Sequence, residues 1–159
     1  MMVQKNKILL RDAEKTDMAF ILSLSPSLAE VAKLYWHKDD VVQKFQDEYI
    51  LEMFADTREK HKSLIAEEAG VALGFIHVRE NRDEISEEMR GTIPLLAVCE
   101  KAQGRGIGKL LMQAAEDWTK AQGLRLLHLE VFAANKHAKD FYQNLGFEPE
   151  TIHMIKSLQ

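Results

Sequence analysis

A single cysteine, Cys99, rules out an intrachain disulfide and any cysteine-rich metal site. There is no excess of positive charge either. The 21 Lys and Arg residues face 25 Asp and Glu, for a net charge of −4, which is not the electrostatic footprint of a nucleic-acid binder. No apolar run approaches the roughly 20 residues that a membrane-spanning helix needs. The opening "MMVQKNKILLRD" lacks an apolar stretch followed by a small-residue cleavage site, so no secretory signal is expected and the cytoplasm is the expected location. Only three prolines and eight glycines are spread through the chain, none of them forming a linker. One domain over 1–159 is expected, with no nucleic-acid or membrane partner. The chain does have apolar residues enough for a sizeable core, at 46% of the total, with 29% charged.

Hydrophobic periodicity changes along the chain. Lys7–Arg11 reads as a short strand. A helix follows, with Thr16 as its N-cap and Asp17 in its first turn, broken at Ser25-Pro26. Ser27 to Lys60 is helical in pattern, with Val42, Phe45, Tyr49 and Met53 on one apolar face. "SLIAEEAGVALGFIHVRE" predicts two strands hinged at Ala69-Gly70, then a polar loop "NRDEISEEMRG" and a strand "TIPLLAVCE". Ile107 to Trp118 forms an amphipathic helix stopped by Gly123. "LRLLHLEVF" predicts a strand, "NKHAKDFYQNL" a helix stopped by Gly146, and "TIHMIKS" a last strand.

The glycines at 104, 106 and 108, between a strand and a helix, raise the question of chemistry. A dinucleotide fingerprint needs a third glycine where Lys109 stands, and only about fifty residues follow, too few for two nucleotide-binding halves. A P-loop needs a hydroxyl after the lysine, and Leu110 is there instead. Gln103-Gly104-Arg105-Gly106-Ile107-Gly108 fits Q/R-x-x-G-x-G/A, a pattern suited to the pyrophosphate of coenzyme A. Unpaired amides at a helix start attract such an anion, and glycines let the backbone approach it. Alone, the hexapeptide is equally compatible with a turn that merely joins strand to helix.

A second motif follows in "NKHAKDFYQNLGF", with Asn135, Ala138, Tyr142, Gly146 and Phe147 spaced as N-x-x-A-x-x-x-Y-x-x-x-G-F. The two motifs in this order resemble the GNAT superfamily of acyl-CoA-dependent N-acetyltransferases, best over Thr92 to Phe147. The resemblance implies an α/β (α+β) fold: a mixed, mostly antiparallel sheet with splayed fourth and fifth strands and helices on both faces. It implies acetyl-CoA as co-substrate, without a metal. It places Leu96, Ala97 and Val98 along the pantetheine arm and the amides of Gly104 to Lys109 on the pyrophosphate. Gln103, Arg105 and Ile107 are thereby cofactor-binding, and Asn135 holds the arm from the other side. The resemblance also implies that the backbone N–H of Val98 or a neighbour donates to the thioester oxygen and that Tyr142 is the general acid, although the Tyr142 ring could instead simply pack beside Phe141.

The same resemblance leads one to expect a glutamate on the fourth strand, but "TIPLL" has no carboxylate. Candidate bases lie elsewhere: His128, Glu130 and Glu88, with His77, Glu80 and Glu87 nearby. Each also has an ordinary structural explanation. Cys99 could carry an acetyl group, yet no histidine adjoins it in sequence, and an apolar-flanked cysteine usually packs. Asp39, Asp40, Asp47, Glu48 and Glu52 could draw a cationic acceptor or form a solvated face. The resemblance thus predicts direct acetyl transfer to a primary amine of a small molecule or protein, with a homodimer as one assembly. The competing class is an acyl-CoA sensor of little catalytic power on the same fold.

Overall fold

Short apolar runs after His61, buried on both faces, build the sheet. In the computed structural model, which describes residues 7–55 and 60–159, β2 (His61–Glu68) turns through Ala69 and Gly70 into β3 (Val71–Arg82). Both turn residues have positive φ, 50° and 78°, which matches the twist of hairpin strands. β1 (Leu9–Asp12) pairs antiparallel with β2, and β4 (Met89–Val98) antiparallel with β3. β5 (Leu127–Leu129) runs parallel to β4, which completes the order β1-β2-β3-β4-β5. The sheet is mixed and mostly antiparallel, as expected.

Helices cover both faces. Against one face lie α1 (Met18–Ser23), α2 (Ser25–Val31) and α3 (Asp39–Phe54), where Ile21 and Ile50 meet Ile65, Phe75 and Leu95. Against the other lie α4 (Ile107–Ala121) and α5 (Lys136–Asn144). There Ile107, Leu111, Met112 and Ala115 pack on Ile76, Val78 and Ile93. Gly74 sets the closeness of this contact, because a Cβ on it would stand 3.1 Å from both Ile107 and Leu111. The start of α1 is tied to the opposite edge of the sheet. Arg11 donates two 2.8 Å hydrogen bonds to the Asp17 carboxylate and a third to Glu67. That guanidinium holds Asp17 below the usual carboxylate range.

The feature that matters most for function is a bulge in β4. His77 pairs with Leu95 and Arg79 with Thr92, so Val78 alone faces both Ile93 and Pro94. Proline cannot donate to a ladder and is tolerated at such a bulge. The extra residue shifts the alternation, so that Ile93 and Leu96 both pack toward α4 while Leu95 faces α1 and α3. It also bends the strand. β5 stays with β4 for three pairs only, Gly91–Leu127, Thr92–His128 and Ile93–Leu129, and the two part at Pro94.

Several expectations need correction. The first strand is Leu9–Asp12, not Lys7–Arg11. Thr16 is not an N-cap; it sits inside a 3-10 turn, Lys15–Asp17, whose cap is Glu14 with Asp17 closing the box. The region from Ser27 to Lys60 is not one helical stretch, since turns separate α2 from α3, and residues 56–59 lie outside the described ones. On α3 the buried stripe is Val42, Gln46 and Ile50, whereas Phe45 is 51% exposed. The polar loop after β3 is shorter than expected, because Asn81, Arg82 and Met89 to Gly91 pair within strands. The fifth strand is three residues rather than nine, because β4 bends away beyond Ile93 and leaves Glu130 to Phe132 without a ladder. The stretch from Thr151 to Ser157 forms no strand; it is exposed, with Met154 87% accessible.

Candidate active site

The parting of β4 and β5 leaves one edge of β4 open. Cys99 N–H donates to the Leu73 carbonyl at 2.8 Å. Antiparallel pairing alternates by two, so the backbone groups of Ala97 and Leu95 also face β3. Those of Leu96 and Val98 therefore face the opening. The Val98 carbonyl accepts a long hydrogen bond, 3.4 Å, from Gln103 Nε2 in the following loop. Ala97, expected beside the arm with its neighbours, has its backbone paired with Phe75 and its side chain buried.

The open edge runs directly into the glycine loop. A 3-10 turn, Glu100–Ala102, leads to Gly104 and Gly106, whose φ values of 77° and 78° suit glycine. Gly106 is the N-cap of α4, and its carbonyl accepts from Leu110 N–H at 3.1 Å. The amides of Ile107, Gly108 and Lys109 precede that first helical bond and need partners from outside the helix. The Arg105 guanidinium reaches sideways, 2.9 Å from Glu68, and braces the loop against the β2–β3 hairpin.

Both sequence motifs meet here. A Cβ on Gly108 would lie 3.3 Å from the ring of Phe141, so α5 packs onto the first turn of α4. Tyr142 is next to it, edge-on to Phe141 and Phe147, with its phenol pushed up to about 12 by burial. Asn135 caps α5, its Oδ1 accepting from Ala138 N–H at 3.1 Å.

The base candidates separate clearly. Thr92 Oγ1 and His128 Nδ1 are 2.8 Å apart where β4 and β5 are still paired. Burial, then the charge of Arg90, lowers the His128 pKa, so the ring is neutral at pH 7. Leu127 and Leu129 pack toward α4, so His128 projects to the face that carries α3. Glu130 stands just beyond β5, exposed, and its charge acts on both His128 and Tyr49 of α3. Glu88 lies apart, holding Arg125 through bonds of 2.7 and 3.0 Å that keep its pKa low. Glu87 pairs with Arg82 and Glu80 with Lys60. His77 is buried in the sheet, 2.7 Å from Ser63 Oγ. Cys99 packs against the α4 core. A shallow cavity lined by Ala13, Met53, Phe54, His61 and Ser63 lies on the β1–β2 side, away from this opening. The pairing of Thr92 with His128 was hidden in sequence, since 36 residues separate them. Among the described residues no group of three or more His, Cys, Asp or Glu could hold a metal, and no helix is long and apolar enough to cross a membrane.

A splayed strand pair that runs into a glycine-capped helix is an arrangement that suits an acyl-CoA-dependent acetyltransferase. Residues 28–147 match the acetyltransferase (GNAT) family model, and the chain belongs to that family. It is 29% identical over 126 residues to the uncharacterized N-acetyltransferase YhfO of Bacillus subtilis, covering 77% of this chain and 85% of that one. It is 29% identical over 144 residues to the peptidyl-lysine N-acetyltransferase YiaC of Escherichia coli, covering 87% and 82%. It spans only 24% of the mycothiol acetyltransferase of Beutenbergia cavernae, at 34% identity over 70 residues. The fold is shared with a GCN5-related N-acetyltransferase from Ralstonia eutropha, at TM-score 0.73, 21% identity and coverage of 96% and 99%. It is also shared with AAC(6')-Iy, solved in complex with the bisubstrate analog CoA-S-monomethyl-acetylneamine, at TM-score 0.64, 22% identity and coverage of 95% and 98%. The protein is an acyl-CoA-dependent acetyltransferase of this family, which uses acetyl-CoA.

Proposed function

We propose that this enzyme moves the acetyl group of acetyl-CoA to a primary amine by direct attack, with His128 as base and Tyr142 as acid. One observation carries this reading: the open edge of β4, the amides that begin α4 and the Tyr142 helix adjoin one another, with His128 at the point where the strands part. The amides of Gly104 to Lys109 would hold the pyrophosphate, and the Arg105 side chain would serve as a brace rather than a phosphate ligand. The Leu96 and Val98 backbones would pair with the pantetheine arm, and Asn135 would donate its side-chain amide from the opposite side. The coenzyme supplies the acetyl group as a thioester, whose C–S bond breaks as the acceptor's N–C bond forms.

Three groups of the chain manage charge in that exchange. Val98 N–H donates to the carbonyl oxygen as negative charge gathers there. His128 takes the proton released by the nitrogen. With Nδ1–H donating to Thr92 Oγ1, its Nε2 carries the lone pair. Tyr142 returns a proton to the sulfur. A phenol at about 12 facing a thiol near about 8.5 makes that transfer uphill by roughly 5 kcal/mol. Tyr142 therefore assists the departure rather than controlling it, and water can substitute in part.

YiaC is named for peptidyl-lysine and AAC(6')-Iy was captured with an acetylneamine analog, so both relatives support an amine acceptor. The test is thiol release from acetyl-CoA with a lysine peptide, an aminoglycoside and simple alkylamines, beside a thermal-shift measurement of coenzyme binding. Turnover with at least one amine is expected. Tight coenzyme binding with no transfer to any of them would overturn direct acetylation in favour of an acyl-CoA sensor.

A further inference from the structure

The exposed residues from Gln103 to Gly106 join the buried Ala102 to the buried Ile107. Little packs on the loop they form. Beyond the neighbouring residues, no atom stands within 4 Å of where a Cβ on Gly104 or Gly106 would be. Glycines on both sides of Arg105 leave this backbone freer than side chains would. Two side-chain bonds tie it down. Gln103 Nε2 reaches the Val98 carbonyl at 3.4 Å, and Arg105 Nη2 lies 2.9 Å from each oxygen of the Glu68 carboxylate.

The end of β2 places Glu68 for this. Leu64 and Ala66 pack toward α4 and Ile65 toward α1 and α3, so Glu67 and Glu68 leave the sheet on opposite faces. Glu67 accepts from Arg11 Nε at 2.8 Å on the α1 face. Glu68 accepts from Arg105 on the α4 face. Two neighbouring carboxylates each hold an arginine, and only Glu68 holds the glycine loop.

We propose that Glu68 is a positioning residue for the coenzyme: through Arg105 it fixes the glycine loop in the shape that receives the pyrophosphate. This rests on the reading above that the amides of Gly104 to Lys109 form that cradle. A loop ordered beforehand loses less conformational freedom on binding. The two side chains are 42% and 22% exposed, so the pair contributes little to global stability, and its effect belongs to coenzyme affinity. The sign of that effect is diagnostic. Glu68 is an anion near the site of a polyanionic ligand, so its charge alone opposes binding. Removing that charge tightens binding if electrostatics rules, or if Arg105 is thereby freed to reach a phosphate. It weakens binding only if the bond to Arg105 keeps the loop in place.

The experiment measures coenzyme A affinity by calorimetry, and the acetyl-CoA KM with an amine that supports turnover. Glu68→Gln should weaken binding and raise that KM by about three- to fivefold, the most that an exposed ion pair supports, with kcat at saturating acetyl-CoA unmoved. In an Arg105→Gln background the same change should cost nothing further. Glu67→Gln removes an equal charge one residue away; it should lower the melting temperature without weakening coenzyme binding. Unchanged or tighter binding in Glu68→Gln would overturn the proposal. So would an equal loss in Glu67→Gln, or a further loss of the same size in the Arg105→Gln background. Gly106→Val separates this pair from the cradle beneath it. If that variant binds coenzyme A as tightly as the unmodified enzyme, the cradle reading fails and Glu68 loses its role. If it binds weakly while Glu68→Gln binds normally, the cradle stands and the positioning pair alone fails.

Discussion

The donor side and the acceptor side proposed for this enzyme are built from different materials. The donor side is mostly main chain: the edge of β4, two left-handed glycines and the free amides of α4, contiguous from Leu96 to Lys109. The acceptor side, on that reading, is side chains gathered from far apart, Thr92 on β4 and His128 on β5. A backbone cradle demands particular residues at particular spacings. A side-chain wall can be assembled from almost any positions that the fold brings together. One side can therefore stay constant while the other changes its substrate.

Substitutions can test that division. The largest effect belongs to the acceptor side. His128→Ala should lower kcat by about 10²–10³-fold, the usual worth of a general base, with coenzyme affinity unmoved. In the unmodified enzyme kcat at saturating acceptor should rise with pH through a midpoint below about 6.5, because burial disfavours the charged imidazole. A pH profile of the variant that lacks this step checks the assignment. Next comes the donor side. Gly106→Val forces a side chain into φ 78° and should weaken coenzyme binding by about 10–100-fold in calorimetry. An equal loss in kcat at saturating coenzyme would break the division. Tyr142→Phe should slow turnover by about tenfold, given the uphill proton transfer. Smallest is Thr92→Val, which removes the 2.8 Å partner of His128 and should cost a few-fold in kcat while displacing the midpoint of the pH profile.

The same division governed what could be read from the sequence. The glycine loop, the Asn135–Tyr142 helix, the hairpin at Ala69-Gly70 and the helix stop at Gly123 were legible because each depends on local backbone demands. The absence of a glutamate on β4 was also legible, and so was His128 as one candidate base, but its partner Thr92 was not. Thr92 and His128 meet only because two parallel strands align them. Phe45 read as core because it keeps helical spacing with Val42, and only the tertiary placement of α3 turns it outward. The fifth strand read too long because Glu130 to Phe132 keep an extended pattern with no partner to pair with.

Pro94 carries a kinetic consequence. β4 and β5 already stand unpaired beyond Ile93 and Leu129, with Leu96 and Val98 turned to the gap. If the coenzyme arm lies beside Leu96 and Val98 as proposed, its binding incurs no cost for prising β4 from β5. Coenzyme association should follow a single phase whose rate stays proportional to concentration, with no plateau set by an opening step.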